Sequence, residues 1–488
     1  MSLPRKAVAG TGWAALTEIS VQGFRFVVGL VLARLVAPDQ FGLLAMVTVF
    51  ITISLALVEG GLGRAIIQRE DLTDEDCSTV FWFNLAASGV AAGVVCLAAP
   101  AVAAFYGEGR LAAIMQVLSL GFFLQGLGVC QRSRMIRDLL FKRLMVVQLP
   151  ALVAGAGAGI ALAATGFGVW ALVVQHLVSG VFVTAFLWIG SDWRPGFRFN
   201  AGRFRQLFGY GWKIAVERTI DELVMNIYVL VIGKLFLPLQ VGYYHRANGF
   251  QKMPAGVIQQ VLTKVAFPVM CSLQGSIERL RKGVEGVLRV TSLVTFPVFA
   301  GMMAVAGPMI ESLIGPRWLP AAPYLQVLCL VGMLWPIQSL NLTVVLALGR
   351  SGLSLRLLVI KRLAMVLAIL LTFRHGVMAL LWGQAACALF ALFVNTWPNR
   401  ALVGFPMERQ LAVMLPYLAS AALMGMVVAA LVTGVEWHPW AELGVGVLAG
   451  VVLFGACVKL MRIRAHREFA GLAGDFPVIG PMVRFVLT

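Results

Sequence analysis

A chain of 488 residues that is 60% hydrophobic and only 12% charged, with a mean hydropathy of +0.89, cannot fold as a water-soluble globule, in which about a quarter of the residues are charged. The formal net charge of +17 would suit a nucleic-acid partner, but the 39 Lys and Arg residues form no single stripe. They fall in short clusters between apolar runs, the pattern of a basic membrane protein, so no nucleic-acid partner is expected.

One helical crossing takes about 20 apolar residues, and alternating strands are absent, which selects helices over a barrel. In chain order, apolar windows predict membrane helices at 12–33, 41–60, 78–104, 111–131, 145–164 and 168–189. An arginine-rich stretch follows, then windows at 207–233, 241–268, 288–309, 318–347, 354–373 and 376–395, with two more at 410–433 and 439–460. The N-terminal MSLPRK lacks the short apolar core and small-residue cleavage site of a secretory signal, so the first helix is expected to stay attached. The seventh and eighth windows are the most polar, and Pro254 with Gly256 should interrupt the eighth. The runs GVAAG (Gly89 to Gly93) and GAGAG (Gly155 to Gly159) fit close helix packing. The cysteines lie singly, without a CxxC pair, and read as small buried hydrophobes.

With a cytoplasmic N-terminus, the even-numbered connections and the helix ends beside them should be basic. They carry Arg132, Arg134, Arg137, Lys142 and Arg143, then Arg194, Arg198, Arg203 and Arg205, then Arg279, Arg281 and Lys282, then Arg350, Arg356, Lys361 and Arg362. Both termini are therefore predicted to be cytoplasmic, in agreement with Lys459, Arg462, Arg464 and Arg467 near the C-terminus. The outward connections are short and leave no room for an extramembrane catalytic domain.

An internal repeat pairs RLVAPDQFGLL (Arg34 to Leu44) with KLFLPLQVGYY (Lys234 to Tyr244), and a weaker one pairs GVWAL (Gly168 to Leu172) with GVMAL (Gly376 to Leu380). The predicted fold is thus an all-α polytopic membrane protein of about fourteen crossings. Its parts are a six-helix lobe over 1–190, a basic cytoplasmic linker over 191–206, a second six-helix lobe over 207–396, two extra helices over 397–460 and a basic tail over 461–488. Because six is even, the lobes would share one orientation and be related by an axis along the membrane normal, as in parallel-repeat transporters.

No Walker A, HExxH, GxSxG or CxxC motif is present, so no catalytic residue, cofactor or metal site is assigned. Ionisable residues inside the predicted crossings are the informative feature, since each costs about 2.5–3.5 kcal/mol at a helix centre. The seventh window holds Lys213, Glu217, Arg218, Asp221 and Glu222 opposite Ala215, Val216, Ile220 and Leu223. Lys213 with Glu217 and Arg218 with Glu222 have pairing distance on a helix, so the group reads as an interfacial helix start or as the wall of a water-filled cavity. The eighth window adds His245, Arg246, Asn248, Lys252, Gln259 and Lys264. In the first helix Glu18, Gln22 and Arg25 share a face, where Glu18 could pair with Arg25, carry a coupling ion or serve as packing glue. A basic cavity attracts phosphate or another anion.

Five segments in order, LARLVAPDQFGLLAM (Leu32 to Met46), GLGRAIIQRE (Gly61 to Glu70), GFGVWALVVQ (Gly166 to Gln175), VGYYHRANGFQKMP (Val241 to Pro254) and ALGR (Ala347 to Arg350), carry a family resemblance. The chain resembles the polysaccharide-transporter branch of the multidrug/oligosaccharidyl-lipid/polysaccharide exporter superfamily, the flippases of lipid-linked repeat units. The resemblance implies two six-helix lobes around a V-shaped cavity. It also implies translocation of an undecaprenyl-diphosphate-linked oligosaccharide across the bacterial inner membrane for lipopolysaccharide or exopolysaccharide synthesis, coupled to an ion gradient. One departure is LPL (Leu237 to Leu239), where relatives often carry a glycine before the Gly-Tyr turn. The family supplies no universal site motif, so the site assignment rests on charge.

Lys213, Arg218, Arg246, Lys252 and Arg25 are expected to meet the diphosphate, while Glu18, Glu217, Asp221 and Glu222 balance charge or carry the coupling ion, a proton or sodium. The expected partners are the lipid-linked oligosaccharide, membrane lipids and polysaccharide polymerase or assembly proteins. Three rival readings are a peptidoglycan-precursor flippase, whose substrate shares the diphosphate lipid, a cation-coupled drug antiporter, which should favour a net acidic cavity, and a membrane glycosyltransferase or polymerase, which should present a large outward loop.

Overall fold

The computed structural model describes residues 3–58, 61–69, 71–434 and 438–460. The basic tail predicted at Arg462, Arg464 and Arg467 lies outside them. Among the described residues there are helices and no strands, and ten helical spans are long and apolar enough to cross a membrane. The protein is an all-α polytopic membrane protein, as its composition requires. It divides into two compact units, Met1–Gly242 and Tyr243–Thr488.

The first unit holds α1 (Leu3–Leu35), α2 (Pro38–Val58), α3 (Leu62–Gln68), α4 (Asp74–Tyr106), α5 (Arg110–Ser119), α6 (Gly121–Arg137), α7 (Phe141–Ala164), α8 (Val169–Gly190), α9 (Ala201–Met225) and α10 (Ile227–Leu235), and ends in the first turn of α11 (Pro238–Val261). A capping box starts α4: Asp76 N donates to Thr73 Oγ1 at 3.2 Å, and the Asp76 carboxylate accepts from Thr73 N at 3.0 Å. Gly107, in the left-handed conformation at φ 72°, ends it. The GAGAG run works as its composition predicts. Gly155 and Gly159 lie against Gln175 and Ser179 of α8, whereas Gly157 faces open space. In GVAAG, only Gly89 has a neighbour, the Phe123 ring.

The seventh window is two helices, α9 and α10, broken at Asn226, and both pack on α2 and α4 within the first unit. The predicted linker is a docked segment followed by the first turn of α9. Gly196 N donates to Ser78 Oγ at 3.0 Å, Trp82 Nε1 donates to Gly196 O at 2.9 Å, and Asn200 N donates to Thr79 Oγ1 at 3.1 Å. Asn200 Oδ1 then caps α9, accepting from Gly202 N and Arg203 N at 3.0 and 3.1 Å. Arg203 Nη1 stands 3.0 Å from the buried Asp76 carboxylate.

The second unit continues α11 and holds α12 (Phe267–Ser272), α13 (Ile277–Ala304), α14 (Ala306–Ile314), α15 (Ala322–Ala347), α16 (Ser351–Thr372), α17 (Val377–Val403), α18 (Met407–Gly434) and α19 (Pro439–Leu460). α13 packs along α18 and α15, and α15 along α17. A buried amide cluster ties three of these helices: Asn399 Nδ2 and Gln410 Nε2 both donate to Asn341 Oδ1, at 2.7 and 2.9 Å. The interruption expected at Pro254 and Gly256 is absent, because α11 runs through both. The irregularity comes later, as a π-helical turn over Leu262–Ala266. A proline inside a helix frees a carbonyl one turn before it without having to end the helix, and a π turn absorbs the register change.

The repeat read from the sequence has a structural counterpart. A Cβ on Gly42 would stand 1.8 Å from the Pro238 carbonyl oxygen, and one on Gly242 would stand 2.0 Å from that of Pro38. The proline and glycine of each copy, Pro38, Gly42, Pro238 and Gly242, all lie within the first unit and meet reciprocally, glycine of one against proline carbonyl of the other. In the weaker repeat, Gly168 and Gly376 both precede a helix with positive φ, 55° and 93°.

Candidate functional site

Three groups of ionisable side chains stand within the helices. On α1, Gln22 Nε2 donates to Glu18 Oε1 at 2.9 Å. Glu18, Gln22 and Arg25 are all exposed on one helical face, but Glu18 forms no ion pair with Arg25 among the described residues. Arg25 instead lies within electrostatic range of both Glu18 and Arg132 of α6, and His176 of α8 lies within range of Arg25. Arg132 and His176 are also exposed. The first unit thus carries a polar group with net positive charge, built from α1, α6 and α8. Arg132 entered the sequence reading only as a connection charge and His176 not at all. A lone histidine in a strongly apolar helix gave the only signal.

On α9 a narrow seam of Leu207, Gly211 and Ala215, one residue per turn, is buried. The seam is tight because Gly61 approaches it: a Cβ on Gly61 would lie 2.4 Å from Gly211 O. At about 100° per residue, Arg218 and Glu222 fall on the seam side, and Lys213, Glu217 and Asp221 fall on the neighbouring arc. Accordingly the first two are half-buried and the other three exposed. Val216, Ile220 and Leu223 form the exposed apolar arc. Glu222 Oε2 accepts from Asn226 Nδ2 at 3.2 Å, at the break between α9 and α10. Lys213 and Glu217 do not pair among the described residues.

In the second unit, α11 sorts its polar residues by face. Asn248 and Gln251 are buried, whereas His245 and Lys252 are exposed, and His245 lies within electrostatic range of Arg246 and Lys252. The Arg246 guanidinium sits over the buried Trp318 ring, 5.5 Å from its centroid, a contact that holds the side chain in one direction. Gln259 Nε2 donates to Ser339 Oγ at 2.6 Å and ties α11 to α15. Lys264 falls within the π turn. Lys361 and Arg362 stand about 15 Å along α16 from Ser351, and with Arg356 they set this helix apart from the ten most apolar spans. Among the described residues no group of three His, Cys, Asp or Glu side chains is placed to hold a metal ion.

A polytopic helical chain with basic groups inside its helices fits the class of membrane transport proteins. Residues 31–323 match the family model described as polysaccharide biosynthesis protein, and the chain belongs to that family. That range contains four of the five resembling segments, and ALGR lies beyond it. The chain is 27% identical over 81% of its length, and 80% of the relative's, to the lipopolysaccharide biosynthesis protein WzxC of Escherichia coli. It is 29% identical to the succinoglycan biosynthesis transport protein ExoT of Rhizobium meliloti, over 67% of this chain and 66% of that one. Among solved structures it is similar to the lipid II flippase MurJ in an inward closed conformation, with a TM-score of 0.72 at 13% identity over 93% of this chain and 99% of that one. An inward-facing multidrug resistance transporter of the MATE family, of the MOP superfamily, matches with a TM-score of 0.60 at 16% identity, over 80% and 98%. These structural likenesses establish a common fold, in keeping with the superfamily resemblance read from the sequence.

Proposed function

We propose that this protein is a flippase that carries an undecaprenyl-diphosphate-linked oligosaccharide repeat unit from the cytoplasmic to the periplasmic leaflet of the bacterial inner membrane, by alternating access and without catalysis. The observation that carries the reading is the set of basic side chains within the helices: exposed Arg25, Arg132 and His176 in the first unit, and exposed His245 and Lys252 with half-buried Arg246 in the second. Such groups are expensive in a bilayer, and a diphosphate is a cargo that offsets their cost. The family membership and the names of WzxC and ExoT support the saccharide as cargo. The polyprenyl tail stays in lipid. Lys213, Arg218, Arg246, Lys252 and Arg25 neutralise the diphosphate, and Glu18, Glu217, Asp221 and Glu222 balance charge or carry a proton or sodium. The chain crosses the membrane about fourteen times, in two lobes with both termini cytoplasmic, and hands its product to a polysaccharide polymerase or assembly machinery.

The test is deletion in the host, followed by assay of lipid-linked saccharide in each leaflet. Accumulation in the cytoplasmic leaflet, rescued by wild type and not by Arg25→Gln/Lys252→Gln, is the expected result. An unchanged distribution with altered drug sensitivity would overturn the reading in favour of an antiporter.

A further inference from the structure

The segment between α8 and α9 is held firmly yet presents aromatic rings outward. Its backbone is tied to Ser78, Thr79 and Trp82 of α4 as described, and Asn200 Nδ2 also donates to Glu75 Oε1 at 3.2 Å. From this fixed frame Phe197 projects with 92% of its surface exposed, and Phe199 with 54%. The Phe197 ring stacks on Trp82, with centroids 5.4 Å apart. Phe83, Phe204 and Phe208 extend the row, with centroid separations of 4.6 Å for Phe83 to Phe204 and 5.2 Å for Phe204 to Phe208.

Arginines alternate with the rings: Arg194, Arg198, Arg203 and Arg205, against a single carboxylate, Asp192, between residues 191 and 208. Two of the four are already committed. Arg194 Nη1 donates to Trp193 O at 2.9 Å, and Arg203 is bound to Asp76. Arg198 and Arg205 are exposed, and neither meets a carboxylate among the described residues.

The row begins where α8 ends at Gly190 and lies beside the first turns of α4, so it sits at one end of two membrane spans. That is headgroup depth, where an aromatic ring is favourable with one side in the acyl boundary and an arginine favourable against phosphate. A rigid backbone that holds an almost fully exposed phenylalanine next to the uncommitted guanidinium of Arg198, with Arg205 further along the same segment, fits a surface that is apolar on one side and anionic on the other.

We propose that the Phe197–Phe208 row is a docking shelf for anionic phospholipid headgroups of the adjoining leaflet, with Arg198 and Arg205 on the phosphates and Phe197 and Phe199 in the acyl boundary. Because the same segment caps α9, a bound lipid bears on the helix that carries Lys213 to Glu222. The inference is independent of which saccharide is moved.

Native mass spectrometry of the full-length protein, titrated separately with phosphatidylglycerol and phosphatidylcholine, tests it. Wild type should retain phosphatidylglycerol preferentially, and Arg198→Gln/Arg205→Gln should lose about fivefold in apparent affinity per arginine, with phosphatidylcholine unaffected. Equal retention of the two lipids by wild type, or equal phosphatidylglycerol retention by wild type and the double variant, would overturn the proposal. A second measurement does not depend on the charge variants. The fluorescence that Phe197→Trp adds in liposomes should be quenched by brominated lipid and not by aqueous iodide. The opposite pattern would mean that the shelf faces water or a protein partner.

Discussion

The three glycines of GAGAG give a test internal to one turn and a half of helix. Gly155→Ala would place a methyl group 1.9 Å from Ser179 Oγ, 2.7 Å from Gln175 O and 3.0 Å from Ser179 Cβ. The hydroxyl can rotate away but the carbonyl cannot, so α7 and α8 must part. Overpacking of this kind costs about 1–3 kcal/mol, and the backbone contact puts this site near the upper end. Gly159→Ala meets Gln175 Cβ at 2.7 Å and Ala171 O at 3.2 Å, a milder conflict of roughly 1–2 kcal/mol. Gly157→Ala meets nothing within 4 Å and should gain about 0.5–1 kcal/mol of helix propensity. The span from Gly155→Ala to Gly157→Ala is then about 3 kcal/mol, roughly a hundredfold in the unfolding equilibrium. Equilibrium unfolding of the purified protein in mixed micelles, by titration with a denaturing detergent, reads it directly. Ser179→Gly in the Gly155→Ala background should recover part of the loss, because it removes two of the three close contacts. Equal stability of Gly155→Ala and Gly157→Ala would refute the α7–α8 seam.

Three further outcomes are expected. Asn341→Ala leaves the Asn399 and Gln410 amide groups without their shared acceptor and should destabilise by about 2–4 kcal/mol, seen as a lower thermal midpoint with unchanged helicity. Arg132→Gln should slow translocation of lipid-linked saccharide about tenfold while the thermal midpoint stays put, because Arg132 is exposed and would lose a charge-assisted contact with cargo rather than a packing contact. Gly42→Ala would bring a Cβ far inside the 3.0 Å limit against Pro238 O, so it should disturb the first turns of α2 and α11. Hydrogen exchange should rise there, and Gly242→Ala should reproduce the effect.

The all-helical membrane fold was legible because it follows from bulk properties: mean hydropathy, window length and clustered arginines require no knowledge of packing. The small-residue seam of α7 was legible for the same local reason, although composition could not tell which glycines face α8. Gly155 does and Gly157 does not, and only the helix azimuth decides. What escaped the sequence depends on contacts between segments distant in the chain. Pro254 looked like a break, yet α11 passes through it and the irregularity falls on Leu262–Ala266, where no breaker residue stands. The stretch over 191–206 looked like a linker because it is basic, but its partners Ser78, Thr79 and Trp82 lie more than a hundred residues earlier. Within the candidate site, the α9 charges were found by their density. His176 and Arg132 became visible only once Arg25 was placed near them.

The division of the α9 charges bears on what each can do. Arg218 and Glu222 share the side of the buried seam and are half-buried, and Glu222 is held further by Asn226 Nδ2 at the break between α9 and α10. A charge fixed in that way can orient a field but cannot follow a cargo. Lys213, Glu217 and Asp221 occupy the exposed arc, and the four-carbon stem of Lys213 can move its ammonium along that arc. Under the proposed function, half-buried groups would define where a diphosphate is held, and exposed ones would stay with it as the surrounding helices change position. On this division, Arg218→Lys should harm cargo binding more than Lys213→Arg, because only the first exchanges a fixed planar group for a flexible one.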